Sequence, residues 1–485
     1  MAAQPTTRWQ VSGYRFLLRR MEHALVRRDV RMLHDPMRNQ SRAFAVGAML
    51  AAIGVAGCAA LALVRPQDEI GDARIVVGED SGAMFVARGE TLHPVLNLAS
   101  ARLIVGGANS PVIVKESELG TRPRGALLGI PGAPSALPDE DPGAWTVCDS
   151  IASGGGRAVS TAVVVGGPDL TGGIRELGGD EALLVQSADG TFLVHDGARR
   201  RVDLGDHAVT LAYDLGGIVP RPVSVGLLNA IPESPPLTPP AIRDAGRLPS
   251  YPFQGKPIGS VVQVQDAQET AYYVVLADGL QRVGRATADL IRYADSQGAA
   301  GMDVVTPDAV AGPPQSTALA VDTFPDTPPR VVDERRDPVS CLSWRPVAGA
   351  PADSGVRASV AVVAGNALPL PEGARPVTLA QSDGTGDNAD QFFVRPGVGA
   401  LVHSTGVTPS SERRGALFFV ADTGVRYGVE NSETATVLGF GAETSPAPWP
   451  ILALLAPGPE LAREAALLAH DGVAPDPHPS DVSAG

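Results

Sequence analysis

Any chemistry in this 485-residue chain would have to come from few reactive side chains. A Walker loop needs G-x-x-x-x-G-K-[ST], whose backbone amides and lysine cradle phosphates. Only two lysines occur, Lys115 and Lys256. Lys115 lies between Val114 and Glu116. Lys256 follows Gly255, but Pro257 stands where Ser or Thr is required and Ser250 where the first glycine is required. Gly154-Gly155-Gly156-Arg157 lacks the strand-to-helix context of a dinucleotide loop and reads as a flexible turn. Ser153, Ser224 and Ser260 lack the flanking glycines of a nucleophile elbow. The eight histidines show no metal-ligand spacing, and His93, before Pro94 in an apolar stretch, reads as a core or turn residue. Asp383, Asp387, Asn388 and Asp390 suggest calcium by composition alone; without the EF-hand order and its terminal Glu they read as a solvated loop. No catalytic residue, cofactor site or metal ligand is assigned, and no cofactor is expected.

The cysteines are more informative. Cys148 closes Trp145-Thr146-Val147-Cys148, and Cys341 opens Cys341-Leu342-Ser343-Trp344. Outside a reducing cytoplasm, two such residues point to one disulfide, with two buried thiols as the alternative. The third, Cys58, sits in an apolar run and would stay unpaired there.

That run decides the topology. Ala43 to Val64 is 22 residues without a charge, long enough to cross a bilayer as a helix, and is bounded by Arg42 and Arg65. Residues 1–42 hold nine Arg and three acidic groups, a net +6, which leaves −20 on the rest of a −14 chain. The Arg excess predicts a cytoplasmic N-terminus and an exterior C-terminal bulk. A cleaved signal peptide would have a shorter basic region and apolar core. Val55-Ala56-Gly57-Cys58 resembles a lipobox, but six apolar residues follow it. Within the arm, Tyr14, Leu17, Leu18, Met21, Leu25 and Met32 recur at helical spacing, with Arg15, Arg19, Arg27 and Arg31 largely off that stripe. Ser12 is expected to cap this helix and Pro36 to end the pattern. Such a basic amphipathic helix suits a partner helix or an anionic membrane surface.

The remainder is rich in turns. Gly and Pro make up about a fifth of the chain, and only 5% is aromatic. This disfavours a helical bundle. Four segments share a strand–turn design: Asp80-Ser81-Gly82 before Ala83 to Val86; Leu183 to Val185 with Asp189-Gly190 and Thr191 to Val194; Tyr272 to Leu276 with Asp278-Gly279; and Leu417 to Val420 with Asp422-Thr423-Gly424. Helices are expected at Thr287 to Asp295 and Ser432 to Leu438, and buried strands at Thr161 to Gly166 and Ser359 to Val363. The fold class is therefore α+β and β-rich: one transmembrane helix, then an elongated exterior domain of four small hairpin/helix repeats around a β-rich core. The expected divisions are an amphipathic arm (1–42), the membrane helix (43–64), repeat 1 (65–119) and a first core part (120–180). Repeat 2 (181–230), a Pro-rich linker (231–256) and repeat 3 (257–306) follow. A Pro-rich linker with the second core part (307–415), repeat 4 (416–470) and a loose tail (471–485) complete the chain. The acidic balance argues against general nucleic-acid binding.

The opening Gln10-Val11-Ser12-Gly13-Tyr14-Arg15-Phe16-Leu17-Leu18-Arg19-Arg20 resembles the VSGWRFLLRR-type start of EccB, a membrane subunit of the actinobacterial type VII (ESX) secretion machine. Asp35-Pro36, Gln40-Ser41-Arg42, Leu92-His93-Pro94-Val95-Leu96-Asn97-Leu98, Gly129-Ile130-Pro131-Gly132-Ala133-Pro134 and Gly424-Val425-Arg426-Tyr427-Gly428 carry the resemblance onward, as do the Trp/Cys pairs and Leu467-Leu468-Ala469-His470-Asp471. Tyr14 stands where many relatives have Trp. The resemblance implies an inner-membrane, single-pass protein with a periplasmic bulk and a Cys148–Cys341 disulfide. It also implies assembly beside the FtsK/SpoIIIE-like ATPase EccC, with EccD, EccE and the mycosin protease. The family is often labelled ATPase, a label no motif here supports. The expectation is thus a structural subunit of a secretion channel, its arm (Tyr14, Leu17, Leu18, Met21, Leu25) serving assembly. The alternatives are an ATP-hydrolysing subunit with a non-standard site, or a cell-envelope anchor. The exterior domain is expected to self-associate through its Pro-rich linkers and the apolar Trp449 to Leu468 region, including Leu452, Leu455, Leu461 and Leu468.

Overall fold

The structure is a computed structural model that describes residues 6–31, 36–64, 70–151, 158–265, 269–347, 357–384 and 386–474. It begins with two helices, α1 (Arg8–Arg27) and α2 (Pro36–Val64). Thr7 caps α1 rather than Ser12, and its backbone N–H is taken by the Gln10 side chain at 3.0 Å. The helix ends when Arg28 turns left-handed (φ 55°). Pro36 therefore does not stop the arm; it opens α2, where its missing N–H costs nothing. Within α2, Gln40–Ala60 is the stretch long and apolar enough to span a membrane.

The exterior part then uses one connection order four times. Three antiparallel strands are followed by a helix, a strand returning parallel to the first, a short helix, and a strand or single bridge parallel to the third. Unit 1 is β1 (Ile75–Gly78), β2 (Met84–Arg88), β3 (Thr91–Pro94), α3 (Leu98–Val105), β4 (Val112–Val114) and α4 (Glu116–Leu119), closed by a Leu92–Arg124 bridge. After β5 (Leu127–Leu128) come three strands of a central sheet, β6 (Trp145–Ile151), β7 (Val159–Val165) and β8 (Ile174–Glu176). Unit 2 is β9 (Glu181–Ser187), β10 (Gly190–His195), β11 (Ala198–Arg201), α5 (His207–Ala212), β12 (Arg221–Pro222), α6 (Val225–Ala230) and β13 (Glu233–Ser234). Unit 3 is β14 (Val261–Gln265), β15 (Thr270–Val275), β16 (Leu280–Val283), α7 (Arg285–Ala294), β17 (Asp303–Val305) and α8 (Pro307–Ala311), with a Leu280–Gln315 bridge.

The chain then adds β18 (Arg330–Val331) to β9 and returns to the central sheet with β19 (Val339–Pro346), β20 (Ala358–Gly365), β21 (Val377–Thr378) and β22 (Gln391–Phe393). Unit 4 is β23 (Ala400–Thr405), β24 (Leu417–Val420), β25 (Val425–Val429), α9 (Ser432–Leu438), β26 (Ser445–Pro448), α10 (Trp449–Leu452) and β27 (Ala456–Pro457). Its first strand starts at Ala400, ahead of the expected boundary at 416. The described chain ends through α11 (Arg463–Ala466) and β28 (Ala469–His470), which pairs with β5.

Local chemistry fixes where each first helix begins. Asn97, Asp206 and Asn431 accept from Ser100, Ala208 and Thr434 backbone N–H groups at 2.9, 2.8 and 2.8 Å. Unit 3 uses Gly284 instead, because a Cβ there would lie 2.6 Å from the Asp326 backbone.

The units pack in pairs through these helices. α3 lies on α9, and Ile75, Val86 and Leu103 share a core with Phe419, Tyr427 and Leu438. α5 lies on α7, and Leu184, Val209 and Tyr213 share a core with Ala286 and Leu290. Units 2 and 4 also face the central sheet, ordered β21-β22-β7-β6-β19-β20-β8. Trp145, Val147 and Trp344 of that sheet pack with Val185, Phe192, Val402 and Val420 of the two units. Units 1 and 3 are the outer members, with separate outer cores around Phe85 and around Phe253.

The expected Pro-rich spacers are packed coil rather than free linkers. Ile231, Leu237, Leu319 and Val321 are buried, and Pro307 begins a helix. Prolines occupy positions that need no ladder donor, while the aliphatic residues between them fill grooves. The apolar Trp449 to Leu468 region is likewise mostly internal. Leu452, Leu455 and Leu461 are buried in the chain's own cores, leaving Trp449 and Leu468 exposed.

Candidate functional site

Three features position what this chain could do: the arm, the membrane helix and the joint that closes the exterior domain. On α1, Tyr14, Leu17, Leu18, Met21 and Leu25 are all exposed, Leu25 at 82%. With 3.6 residues per turn they share one face. Arg15 and Arg19 lie on another. An apolar helix face gains stability when it is covered. Arg42 lies two residues into the apolar stretch of α2; Arg65 lies outside the described residues. Cys58 is a free thiol on the surface of α2.

The joint is the centre of the seven-stranded sheet. β6 and β19 run antiparallel with Trp145 opposite Trp344 and Cys148 opposite Cys341. The two cysteines are bonded, with Sγ–Sγ 2.05 Å and Cα–Cα 4.0 Å. The disulfide packs with Ala162, Ile174, Val339 and Val363, while Trp145 and Val147 point to the other face.

Beside the disulfide, on the tryptophan face, sits a carboxylate the sequence reading missed. Asp149 is wholly buried. It accepts from the Ser224 N–H (2.6 Å), the Ser224 hydroxyl (2.9 Å) and the Thr161 hydroxyl (2.9 Å). Ser224 is also the N-cap of α6, accepting from Leu227 N–H at 2.9 Å, so Asp149 ties unit 2 to the central sheet. Burial pushes the Asp149 carboxyl up to about 6, assisted by nearby Asp390 and opposed by the Ser224 and Thr161 donors.

Asp390 lies in the expected solvated loop, but it is buried and organises that loop. It accepts from Thr161 N–H (2.8 Å), the Ser382 hydroxyl (2.9 Å) and the Asp383 and Gly384 N–H groups (3.1 and 3.0 Å). Burial works against its ionisation, but the four donors outweigh burial and hold its carboxyl below the usual range. Thr161 thus bridges both acids. The signal in sequence was an Asp in line with Trp145 and Val147 at the two-residue spacing of one strand face.

A second polar joint lies at the sheet's far edge. Glu181 of β9 is clamped by Arg175 of β8 (Nη2–Oε1 2.9 Å) and by Arg330 of β18. The Arg175 hydrogen bonds hold its carboxyl down at about 2, against the opposing effect of burial. His93 is packed, as expected: its ring lies against Gly125, and Nδ1 is 3.1 Å from the Ala126 carbonyl. Gly154 to Gly156 lie outside the described residues. Among the described residues no cluster of three metal-ligating side chains occurs. These joints are structural devices: they fasten units to a sheet and present no substrate with an acid–base pair.

The family model "Type VII secretion system ESX-1, transport TM domain B" matches residues 3–475. The chain belongs to the EccB family. It is 42% identical to the ESX-3 secretion system ATPase EccB3 of Mycolicibacterium smegmatis, over 99% of this chain and 93% of the relative. It is 36% identical to the ESX-5 secretion system ATPase EccB5 of Mycobacterium tuberculosis, over 98% and 96%. Among solved structures, a chain of an intact ESX-5 inner membrane complex superposes with a TM-score of 0.75 at 34% identity, over 99% of both chains. An EccB3 dimer from an ESX-3 core complex gives 0.72 at 38% identity, over 82% of this chain and all of the other. This chain has that fold, with one described helix long and apolar enough to cross a membrane followed by a large β-rich domain.

Proposed function

We propose that this chain is a structural subunit of a type VII secretion membrane complex. α2 anchors it in the inner membrane with the arm in the cytoplasm. α1 docks on partner subunits, and the four-unit domain builds the periplasmic part. The observation that carries the reading is the uncovered apolar face of α1, held by a membrane helix beside a disulfide-closed exterior domain. The nine Arg of residues 1–42 support the orientation, and the disulfide supports an oxidising compartment for the bulk. Structures of relatives described as an inner membrane complex and as a dimer support assembly and self-association. We take EccC, EccD, EccE and the mycosin protease as the partners. The relatives carry the word ATPase in their names. This sequence supplies no Walker loop, and the buried acids it does supply are saturated by neighbouring donors.

Tyr14→Asp with Leu18→Asp tests the arm. The variant should insert in the membrane normally yet fail to copurify with EccC and EccD. Undiminished complex yield would reduce the arm to a topology signal. Metal-dependent ATP turnover by purified protein, abolished by a point substitution, would overturn the structural reading in favour of an enzyme.

A further inference from the structure

A cleft of about 820 Å3 opens where the end of the β19–β20 hairpin meets unit 4. Arg345, at the end of β19, and Arg413 and Arg414, between β23 and β24, line it. Their guanidinium groups make no hydrogen bond or ion pair with a described residue. His403 of β23 projects from beneath them. It is only 6% exposed, and its Nδ1 lies 2.9 Å from the Thr444 hydroxyl. Nε2 has no protein partner among the described residues. Burial and Arg414 both lower the imidazole pKa, so the ring is neutral near pH 7.

The cleft also has acids, and their state differs from that of the arginines. Asp139 accepts from the Leu401 N–H and Asp141 from the Ser445 hydroxyl, at 3.2 and 3.0 Å. Glu140 pairs with Arg395 and Glu412 with Arg357, at 3.0 and 3.1 Å. Among the described residues only Glu443 of the lining acids lacks a partner. Four of the five lining acids are engaged by the protein, two of them by uncharged donors that leave their charge in place, and among the described residues none is paired with the three guanidinium groups. Unpaired like charges sharing one cleft repel, and an anion relieves that repulsion.

We propose that this cleft binds a ligand bearing two or more phosphate groups. Planar guanidinium forks match phosphate oxygens two at a time. The volume suits a small molecule or a few repeats of a polymer. The −14 charge of the chain repels long, uniformly charged polyanions from the rest of the surface. The ligand is therefore short, or docks only locally. Two sources share this chemistry: a nucleotide and a phosphodiester polymer of the cell envelope.

Pyrophosphate is the probe. Titrated calorimetrically into the full-length protein in detergent, it should bind saturably, more weakly as salt rises. Arg413→Ser with Arg414→Ser should weaken it at least tenfold at unchanged melting temperature; Arg243→Ser, an exposed arginine elsewhere, should not. Arg413→Lys with Arg414→Lys keeps the charge and should retain part of the affinity. Competition by ATP but not adenosine assigns a nucleotide, and competition by glycerol-phosphate oligomers alone assigns a polymer. Absence of saturable binding, equal affinity in the Ser variant, or competition by neither ligand overturns the proposal. The readout does not involve assembly, so its failure is separate from failure of the structural role.

Discussion

Replacing Asp149 by Asn should alter how stability depends on pH without altering the fold. In the folded chain the carboxyl titrates near 6 instead of its ordinary 3.8. A raised acid pKa means that the folded state holds the proton more tightly. The associated stability is fully present below 3.8 and is lost as pH rises through about 6. Linkage puts its full size at about 3 kcal/mol, of which about 1.3 kcal/mol falls between pH 7 and pH 5. Asn cannot titrate. It can keep the contacts if its oxygen faces the Ser224 N–H and its NH2 donates to the Ser224 and Thr161 hydroxyls. Denaturant unfolding of both proteins at pH 7 and pH 5 reads the difference between the two changes, cancelling every other titrating group. Wild type should gain about 1 kcal/mol relative to Asp149→Asn on acidification. Equal pH responses would refute the buried, proton-binding state assigned to Asp149. Asp149→Ala, which orphans three buried donors, should cost about 3–5 kcal/mol at pH 7.

Other expectations are open to equally direct tests. Cys148→Ala with Cys341→Ala should lower stability by about 5 kcal/mol in the chain-entropy treatment, read as a fall of several degrees in Tm with unchanged far-UV circular dichroism. Non-reducing peptide mapping should recover the two cysteines joined and Cys58 as a free thiol. Glu181 behaves oppositely to Asp149: its depressed carboxyl contributes stability above 4.5 that is lost as pH falls toward about 2. Because Arg175 and Arg330 are about half exposed, Glu181→Gln should cost only about 1–2 kcal/mol at pH 7, and it should flatten the acid limb of the stability profile. Gly439 caps α9 at φ 94°, and a Cβ there would meet Arg102 Nη1 at 2.7 Å and Ala108 at 3.2 Å. Gly439→Ala should therefore loosen unit 1 from unit 4 at a cost of about 2 kcal/mol, visible as faster proteolysis of residues 98–124.

Elements defined by their own residues were legible in the sequence, and elements defined by their partners were not. Asp189-Gly190 and Asp422-Thr423-Gly424 announce hairpins because their left-handed glycines, φ 128° and 81°, set the turn locally. Ser432 to Leu438 announces a helix through its Asn431 cap. By contrast, β12 and β27 are two residues long, each containing proline, and exist as strands only because a neighbour pairs with them. The pairing of unit 1 with unit 4 depends on contacts such as Arg102 to the Leu438 carbonyl, 336 residues apart, which leave no local pattern. The two cysteines were legible through their tryptophan neighbours. Asp390 was not, since a carboxylate that organises a loop looks in sequence like one that solvates it.

The disulfide also decides how the domain carries tension. Cys148 and Cys341 are separated by 193 residues, and units 2 and 3 lie wholly within that loop. A pull entering from α2 reaches unit 1, crosses from β6 to β19 through a covalent bond, and continues into unit 4. Units 2 and 3 hang off this path as side branches, free of load however hard the membrane end is drawn. The last described strand, β28, which follows unit 4, returns to β5 just after unit 1, so the chain beyond unit 4 is fastened back beside unit 1. Oxidised, the chain transmits force as though 193 residues were absent. Reduced, the same pull has about 650–700 Å of extra contour to draw out before it reaches unit 4.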